Sequence, residues 1–228
     1  MGGLWLSIKL ASATSLILLC IGLPLSYWIA YSSWRWKFLV EAVVALPIVL
    51  PPTVLGFYLL AAMGARSPIG RLYQEMTGAP LAFTFGGLVV ASIFYSLPFT
   101  IQPLAMAFSA VDNRLIQNAW TLGRSRLMTF FSVILPLSYK GMMTAFILSF
   151  AHTVGEFGVV LMVGGNIPGI TRTVSIDLYD QVQALNDRAA SETALFLLIL
   201  SFLFLSIVYF IDRKKGGMKG RLTGGIHR

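Results

Sequence analysis

Two residues in this chain combine reactive chemistry with a useful spacing. His152 and Glu156 lie in the stretch His152-Thr153-Val154-Gly155-Glu156-Phe157-Gly158, inside an otherwise apolar run. An ionised side chain at the centre of a membrane helix costs roughly 2.5–3.5 kcal/mol on insertion scales, so Glu156 needs a partner or a shallow position. On a continuous helix the i, i+4 spacing turns both side chains to one face, where a mutual hydrogen bond offsets part of that cost. The alternatives are a polar gate element or a hinge, because Gly155 and Gly158 flank the acid and weaken a helix there. An intramembrane metal enzyme is a third reading. It is disfavoured, since two ligands are too few for zinc and His227, the only other histidine, lies in the C-terminal tail.

Other chemistry is not visible. There is no Gly-x-x-x-x-Gly-Lys-Ser/Thr phosphate loop, so the chain is not expected to bind and hydrolyse ATP by itself. Gly-x-Ser-x-Gly, His-Glu-x-x-His and paired carboxylates at useful spacing are missing too. Cys20, the single cysteine, lies within an apolar run and offers neither a disulfide nor a thiolate-ligated metal site within one chain. The expectation is a non-enzyme without a metal or cofactor of its own.

The elements that must position His152 and Glu156 are membrane helices. The chain has 228 residues, 57% of them hydrophobic and only 11% charged, with a mean hydropathy of +0.78. That is too apolar for a soluble domain. A helix needs roughly 20 apolar residues to cross the hydrocarbon, and five runs qualify or nearly so. They are Ile8–Tyr31, Phe38–Met63, Phe83–Phe108, Gly141–Val163 and Thr193–Ile211. No stretch between them is long enough to fold separately, so 1–228 reads as one membrane domain with a core of about 4–211. The first run is long and has no small-residue cleavage site after it, so it reads as retained rather than as a signal peptide.

Charge then sets orientation. The net charge of +8 does not indicate nucleic acid, because six basic residues sit in the tail after the last run, at 212–228. If the helices alternate, Arg35 and Lys37, then Arg114, Arg124 and Arg126, then that tail all share one face, which the positive-inside rule makes cytoplasmic. The N-terminus is expected outside and the C-terminus inside. The tail itself reads as disordered and close to anionic lipid. Trp5, Trp28, Trp34 and Trp36 bracket the first run as interfacial anchors do.

Several runs are interrupted. Leu46-Pro47-Ile48-Val49-Leu50-Pro51-Pro52 places three prolines in the second, which must kink or break it. Broken helices at membrane depth are tolerated where protein or a water-filled cavity satisfies the freed carbonyls, so Pro51 and Pro52 are candidates for a pathway wall, with a simple packing kink as the alternative. Thr53, Tyr58, Ser92, Ser96 and Ser149 are polar candidates for contact with a passing solute, none singled out by the sequence. Short helices are expected outside the membrane near Arg71–Met76 and Val174–Val182.

The long polar-bearing segment that carries clustered positive charge between two apolar runs is Val111–Pro136. Asp112 is a candidate N-cap, Leu115, Ile116, Ala119 and Leu122 recur at helical spacing, and Gly123 falls where helices stop. Arg124 and Arg126 follow. Such a helix either buries its apolar face against its own membrane helices or another protein, or lies on the bilayer surface.

This segment resembles the cytoplasmic loop of the membrane subunits of type I ATP-binding-cassette importers. The family pattern is Glu-Ala-Ala, three residues, Gly, nine residues, then Ile-x-Leu-Pro. Here it reads Gln117-Asn118-Ala119, three residues, Gly123, nine residues, then Val133-Ile134-Leu135-Pro136, with the spacing kept and the first two positions changed. Leu46–Pro52, Gly155–Gly158 and Asn166-Ile167-Pro168-Gly169 with Thr171-Arg172-Thr173 are similar to the molybdate branch of that family, and the likeness covers about Leu4 to Phe210. It implies an all-α integral membrane fold of five transmembrane helices plus a cytoplasmic coupling helix. It also implies a homodimer in the cytoplasmic membrane of a bacterium or archaeon, importing molybdate or tungstate by alternating access. Two cytoplasmic ATPase subunits would hold the ATP and Mg, and an external oxyanion-binding protein would deliver the ion. The implied site residues are Asp112, Leu115, Ile116, Gln117, Asn118, Ala119, Leu122, Gly123, Arg124, Leu135 and Pro136 for ATPase coupling; Pro51, Pro52, His152, Gly155, Glu156 and Gly158 for the gate; and Asn166, Pro168, Gly169 and Arg172 for binding-protein contact. A sulfate or thiosulfate permease is the alternative within the family, and a passive channel the alternative outside it.

Overall fold

The structure is a computed structural model that describes residues 2–219 of the chain, and every regular element among them is helical. In chain order these are α1 (Gly2–Tyr31), α2 (Lys37–Val49), α3 (Pro52–Met63), α4 (Pro68–Thr77), α5 (Phe85–Ser109), α6 (Asn113–Thr121) and α7 (Arg126–Thr129). A π-helical stretch, Phe130–Ile134, leads to α8 (Leu135–Leu137), followed by α9 (Tyr139–Gly155), α10 (Gly158–Gly164), α11 (Val174–Gln183) and α12 (Asp187–Lys219). α1, α5 and α12 are each long and apolar enough to cross a membrane. Two bent pairs pass the same test only when taken together: α2 with α3, bent by 111°, and the 126–137 segment with α9, bent by 72°.

The core is α1 packed between α5 and α9. Small residues permit the approach: a Cβ on Gly22 of α1 would stand 3.1 Å from Thr100 Cγ2. Ser26 Oγ donates to Ile101 O at 3.2 Å and Tyr31 Oη to Phe108 O at 2.7 Å. Leu10 and Leu88 share a cluster at the other end, so the pairings advance together and α1 and α5 run the same way. α9 runs opposite, with Ala11 packed near Val154 and Leu19 near Met142. α12 is antiparallel to α9, the Phe150 and Phe204 rings meeting at 5.4 Å while Thr144 and Val208 line one cavity. The ends Tyr31, Ser109, Tyr139 and Ile211 therefore lie together. Arg35, Lys37, Arg114, Arg124, Arg126 and Arg213 follow them to that end of the bundle.

Two expectations about the runs are corrected and a third is met. The fourth run is not one helix: it stops at Gly155 and restarts at Gly158, because Glu156 is extended (φ −67°, ψ 132°). The fifth does not end at Ile211, since α12 continues to Lys219 where a disordered tail was expected; residues 220–228 lie outside the described residues. The second run breaks where its prolines require it. Leu50 is extended between α2 and α3, and Pro52, which has no N–H to leave unsatisfied, opens α3. The short helices expected near Arg71–Met76 and Val174–Val182 are α4 and α11. Only 6% of the most apolar window of α12 is buried within the chain, so its Leu, Ile and Phe side chains face outward.

Candidate functional site

α6 is a short helix closed at both ends. Asp112 Oδ1 accepts from Arg114 N at 2.9 Å, the N-cap that Asp supplies best because its short carboxylate reaches the second free amide. At the other end Gly123 takes φ +80°, its N–H donates to Trp120 O at 2.9 Å, and Arg124 N donates to Ala119 O at 3.0 Å. This pair of reversed bonds is a Schellman cap, which needs a left-handed residue at the glycine position. The apolar face divides. Ile116 and Ala119 are buried, Ile116 with Leu104, Phe108 and Ile134, whereas Leu115 and Leu122 are exposed, Leu122 at 81%. Gln117, Asn118 and Arg124 are exposed too.

Downstream, Ser125 Oγ accepts from Met128 N at 3.2 Å and starts α7. Pro136 has no N–H for the carbonyl four residues back, and ahead of it the backbone widens to π spacing, with Leu135 N donating to Phe130 O. Ser138 Oγ then donates to Ala107 O at 3.3 Å and fixes the corner from which α9 rises against α5. Leu135 and Pro136 thus belong to the joint between the α6 loop and α9.

The two helix breaks meet. A Cβ on Gly158, at the start of α10, would stand 2.7 Å from Pro52 Cβ, at the start of α3. One on Gly56 would stand 2.8 Å from Met162 Cβ, so the two half-helices lie flush. Glu156 is buried beside this seam, and its Oε1 accepts from Val159 N at 2.7 Å, satisfying a free amide of the first turn of α10. It does not pair with His152. With α9 ended at Gly155, the i, i+4 geometry no longer exists and the carboxylate turns forward. His152 turns back: Nδ1 lies 3.0 Å from Ser96 Oγ, and the ring stacks on Phe99 with centroids 3.9 Å apart. Ser96 Oγ also bonds Thr153 Oγ1 at 2.9 Å. Among the described residues no three His, Cys, Asp or Glu side chains gather as metal ligands would. Of the other polar candidates, Thr53 and Tyr58 are exposed, Ser92 is buried, and Ser149 bonds Phe146 O.

In the loop after α10, Gly165, Asn166 and Gly169 adopt φ of +67°, +60° and +76°. Asn166 and Arg172 are half-buried and tied to Asp180. Asn166 Nδ2 donates to Asp180 at 3.0 Å, Arg172 Nε donates to Asn166 Oδ1 at 2.7 Å, and Arg172 lies 3.5 Å from Asp180. Pro168, Gly169 and Ile170 form the exposed tip that this network holds up.

A doubly capped loop helix, two broken helices and a hydrogen-bonded loop tip thus occur together on one chain. The model of the binding-protein-dependent transport system inner membrane component matches residues 22–217. The chain belongs to that family.

This inner membrane transport component is 52% identical over 213 residues to the molybdenum transport system permease protein ModB of Azotobacter vinelandii, covering 93% of this chain and 94% of that one. It is 33% identical over 217 residues to the Escherichia coli K12 protein of the same name, covering 95% of each. A probable sulfate transport system permease protein, cysT of Prototheca wickerhamii, is 30% identical over 202 residues, covering 89% of this chain and 79% of that one. In fold, the component is similar to a chain of the inward-facing MetNI methionine ABC transporter. The TM-score is 0.70 at 17% identity, over 93% of this chain and 94% of that one. Sequence reasoning missed two residues beside the loop: Trp120, whose indole is exposed, and Arg126, which lines two cavities described below. Arg126 was visible only as a topology charge, and no pattern singled out Trp120.

Proposed function

We propose that this chain is the membrane-spanning subunit of an ATP-driven importer of molybdate, or its close chemical analogue tungstate, working by alternating access. The observation that carries the reading is 52% identity across 93% of the chain to a molybdenum transport permease. In this reading the chain is one membrane domain and crosses five times, each bent pair counting as one crossing, with the N-terminus outside and the basic end in the cytoplasm. It catalyses nothing itself. ATP and Mg are held by two cytoplasmic ATPase subunits, and an external binding protein delivers the oxyanion to the Pro168–Ile170 tip.

Five helices cannot readily enclose a path for a hydrated dianion, whereas a two-fold dimer builds one at its axis with each helix used twice. The exposed Leu115 and Leu122 on a doubly capped helix suit insertion into a partner cleft. The 126–137 segment then transmits movement of α6 to α9, and the Pro52–Gly158 seam lets α3 and α10 move as one gate element. The second reading, a sulfate or thiosulfate permease, is favoured by the similarity to the Prototheca protein.

Uptake of labelled molybdate and sulfate into cells carrying only this permease with its matched ATPase and binding protein separates the two. Molybdate uptake inhibited by tungstate is expected, and sulfate-only uptake overturns the substrate. Failure of any nucleotide-binding subunit to co-purify with the chain points instead to a passive channel.

A further inference from the structure

We propose that the junction of α1 with the α6–α7 segment is a binding site for one anionic phospholipid, its headgroup on Arg126 and one acyl chain in the groove above. Two cavities, of about 570 and 540 Å³, adjoin there, and Tyr27 and Arg126 line both. The first is an apolar groove walled by Cys20, Leu23, Pro24, Leu127, Phe130 and Phe131. The second is polar, with Ser32, Ser33, Asn113, Gln117 and Trp120 around it. The lining therefore changes from hydrocarbon-like to hydrogen-bonding across Tyr27 and Arg126.

Its depth fits one leaflet. Cys20 lies eleven residues before the end of α1 at Tyr31, a rise of about 16 Å, roughly half the hydrocarbon thickness of a bilayer. Trp28 and Trp34, whose rings approach to 5.9 Å, stand at the polar end, where interfacial tryptophans belong. A soluble partner cannot reach the groove at that depth, whereas a lipid tail occupies it by default.

Charge selects the headgroup. Arg126 is exposed, it is in none of the ion pairs found among the described residues, and no acid lines either cavity. An anionic phosphodiester supplies the missing partner, and Ser32, Ser33 and Asn113 supply donors for its remaining oxygens. Arg126 opens α7 directly beside α6, so a lipid held there adjoins the coupling loop, whichever oxyanion is transported.

Native mass spectrometry of the assembled transporter, equilibrated with phosphatidylglycerol or phosphatidylcholine, tests the site. Wild type should retain phosphatidylglycerol in preference. Arg126→Gln should lower that retention at least fivefold, Arg126→Lys should keep most of it, and Arg35→Gln, an interfacial arginine outside both cavities, should leave it unchanged. Phosphatidylglycerol should also slow maleimide labelling of Cys20 in the unaltered protein, a readout that requires no variant. Undiminished retention in Arg126→Gln overturns the proposal, as does equal loss in Arg35→Gln, Cys20 labelling indifferent to phosphatidylglycerol, or release of the lipid by millimolar inorganic phosphate.

Discussion

Replacing Gly123 separates a backbone requirement from a space requirement in the proposed coupling loop. A Cβ built on Gly123 meets nothing within 4 Å, so within this chain an alanine there touches no neighbour. The cost comes from φ +80° alone, about 1–2 kcal/mol for an L-residue with a Cβ in the left-handed region. That shifts the balance between the capped and unwound end of α6 by roughly five- to thirty-fold. Asparagine tolerates this conformation better than alanine, and a β-branched valine tolerates it worst. The expected order of molybdate transported per ATP hydrolysed is therefore Gly, Asn, Ala, Val. Proteoliposomes containing the permease, its ATPase and the binding protein measure both quantities in one preparation. If activity instead follows side-chain size, with Ala harmless and Asn as damaging as Val, the glycine is needed to fit the partner's cleft and the capping argument fails. Equal coupling in all four refutes any role for the cap in transmission.

The remaining predictions concern surfaces and seams. Leu122→Asp, at an exposed position, should abolish co-purification of the ATPase while leaving the melting temperature of the isolated permease unchanged. Gly158→Ala should force α10 off α3 and reduce transport without affecting ATPase assembly, and Pro52→Ala should not rescue it, because the opposing atom is the Cβ that both residues carry. Glu156→Gln keeps an oxygen to accept from Val159 N and should melt close to wild type. Glu156→Leu strands that buried amide and should destabilise by about 1–3 kcal/mol in thermal unfolding.

Legibility differed among these features for physical reasons. Proline declares its missing donor, so the α2–α3 break could be located from Leu46–Pro52 alone. The α9–α10 break carries no proline. Its signal is a glycine on each side of a glutamate whose carboxylate caps three residues on, and the assumption of a continuous helix turned that same glutamate towards His152. Asp112 and Gly123 were readable because capping is local chemistry. The division of the apolar face of α6 was not, since whether Leu115 or Ile116 is buried depends on where α5 and the π-helical stretch pass. Asn166 and Arg172 read as an external contact surface, and their bonds to each other and to Asp180, on a separate helix, were not legible in the sequence.

The hydrogen bonds that join α1 to α5 also bear on biosynthesis. Ser26 and Tyr31 donate to carbonyls 75 and 77 residues further along the chain. At about 5–20 residues per second the ribosome takes roughly 4–15 s to make that distance, and during it these two hydroxyls lack the acceptors they hold in the finished fold. The polar groups on its buried face are the hydroxyls of Ser7, Thr14, Ser15 and Ser26, side chains short enough to bond their own helix's carbonyls while waiting. An asparagine or aspartate on that stripe would have no such refuge in the bilayer. The composition of the first helix thus suits the order of synthesis as well as the finished packing.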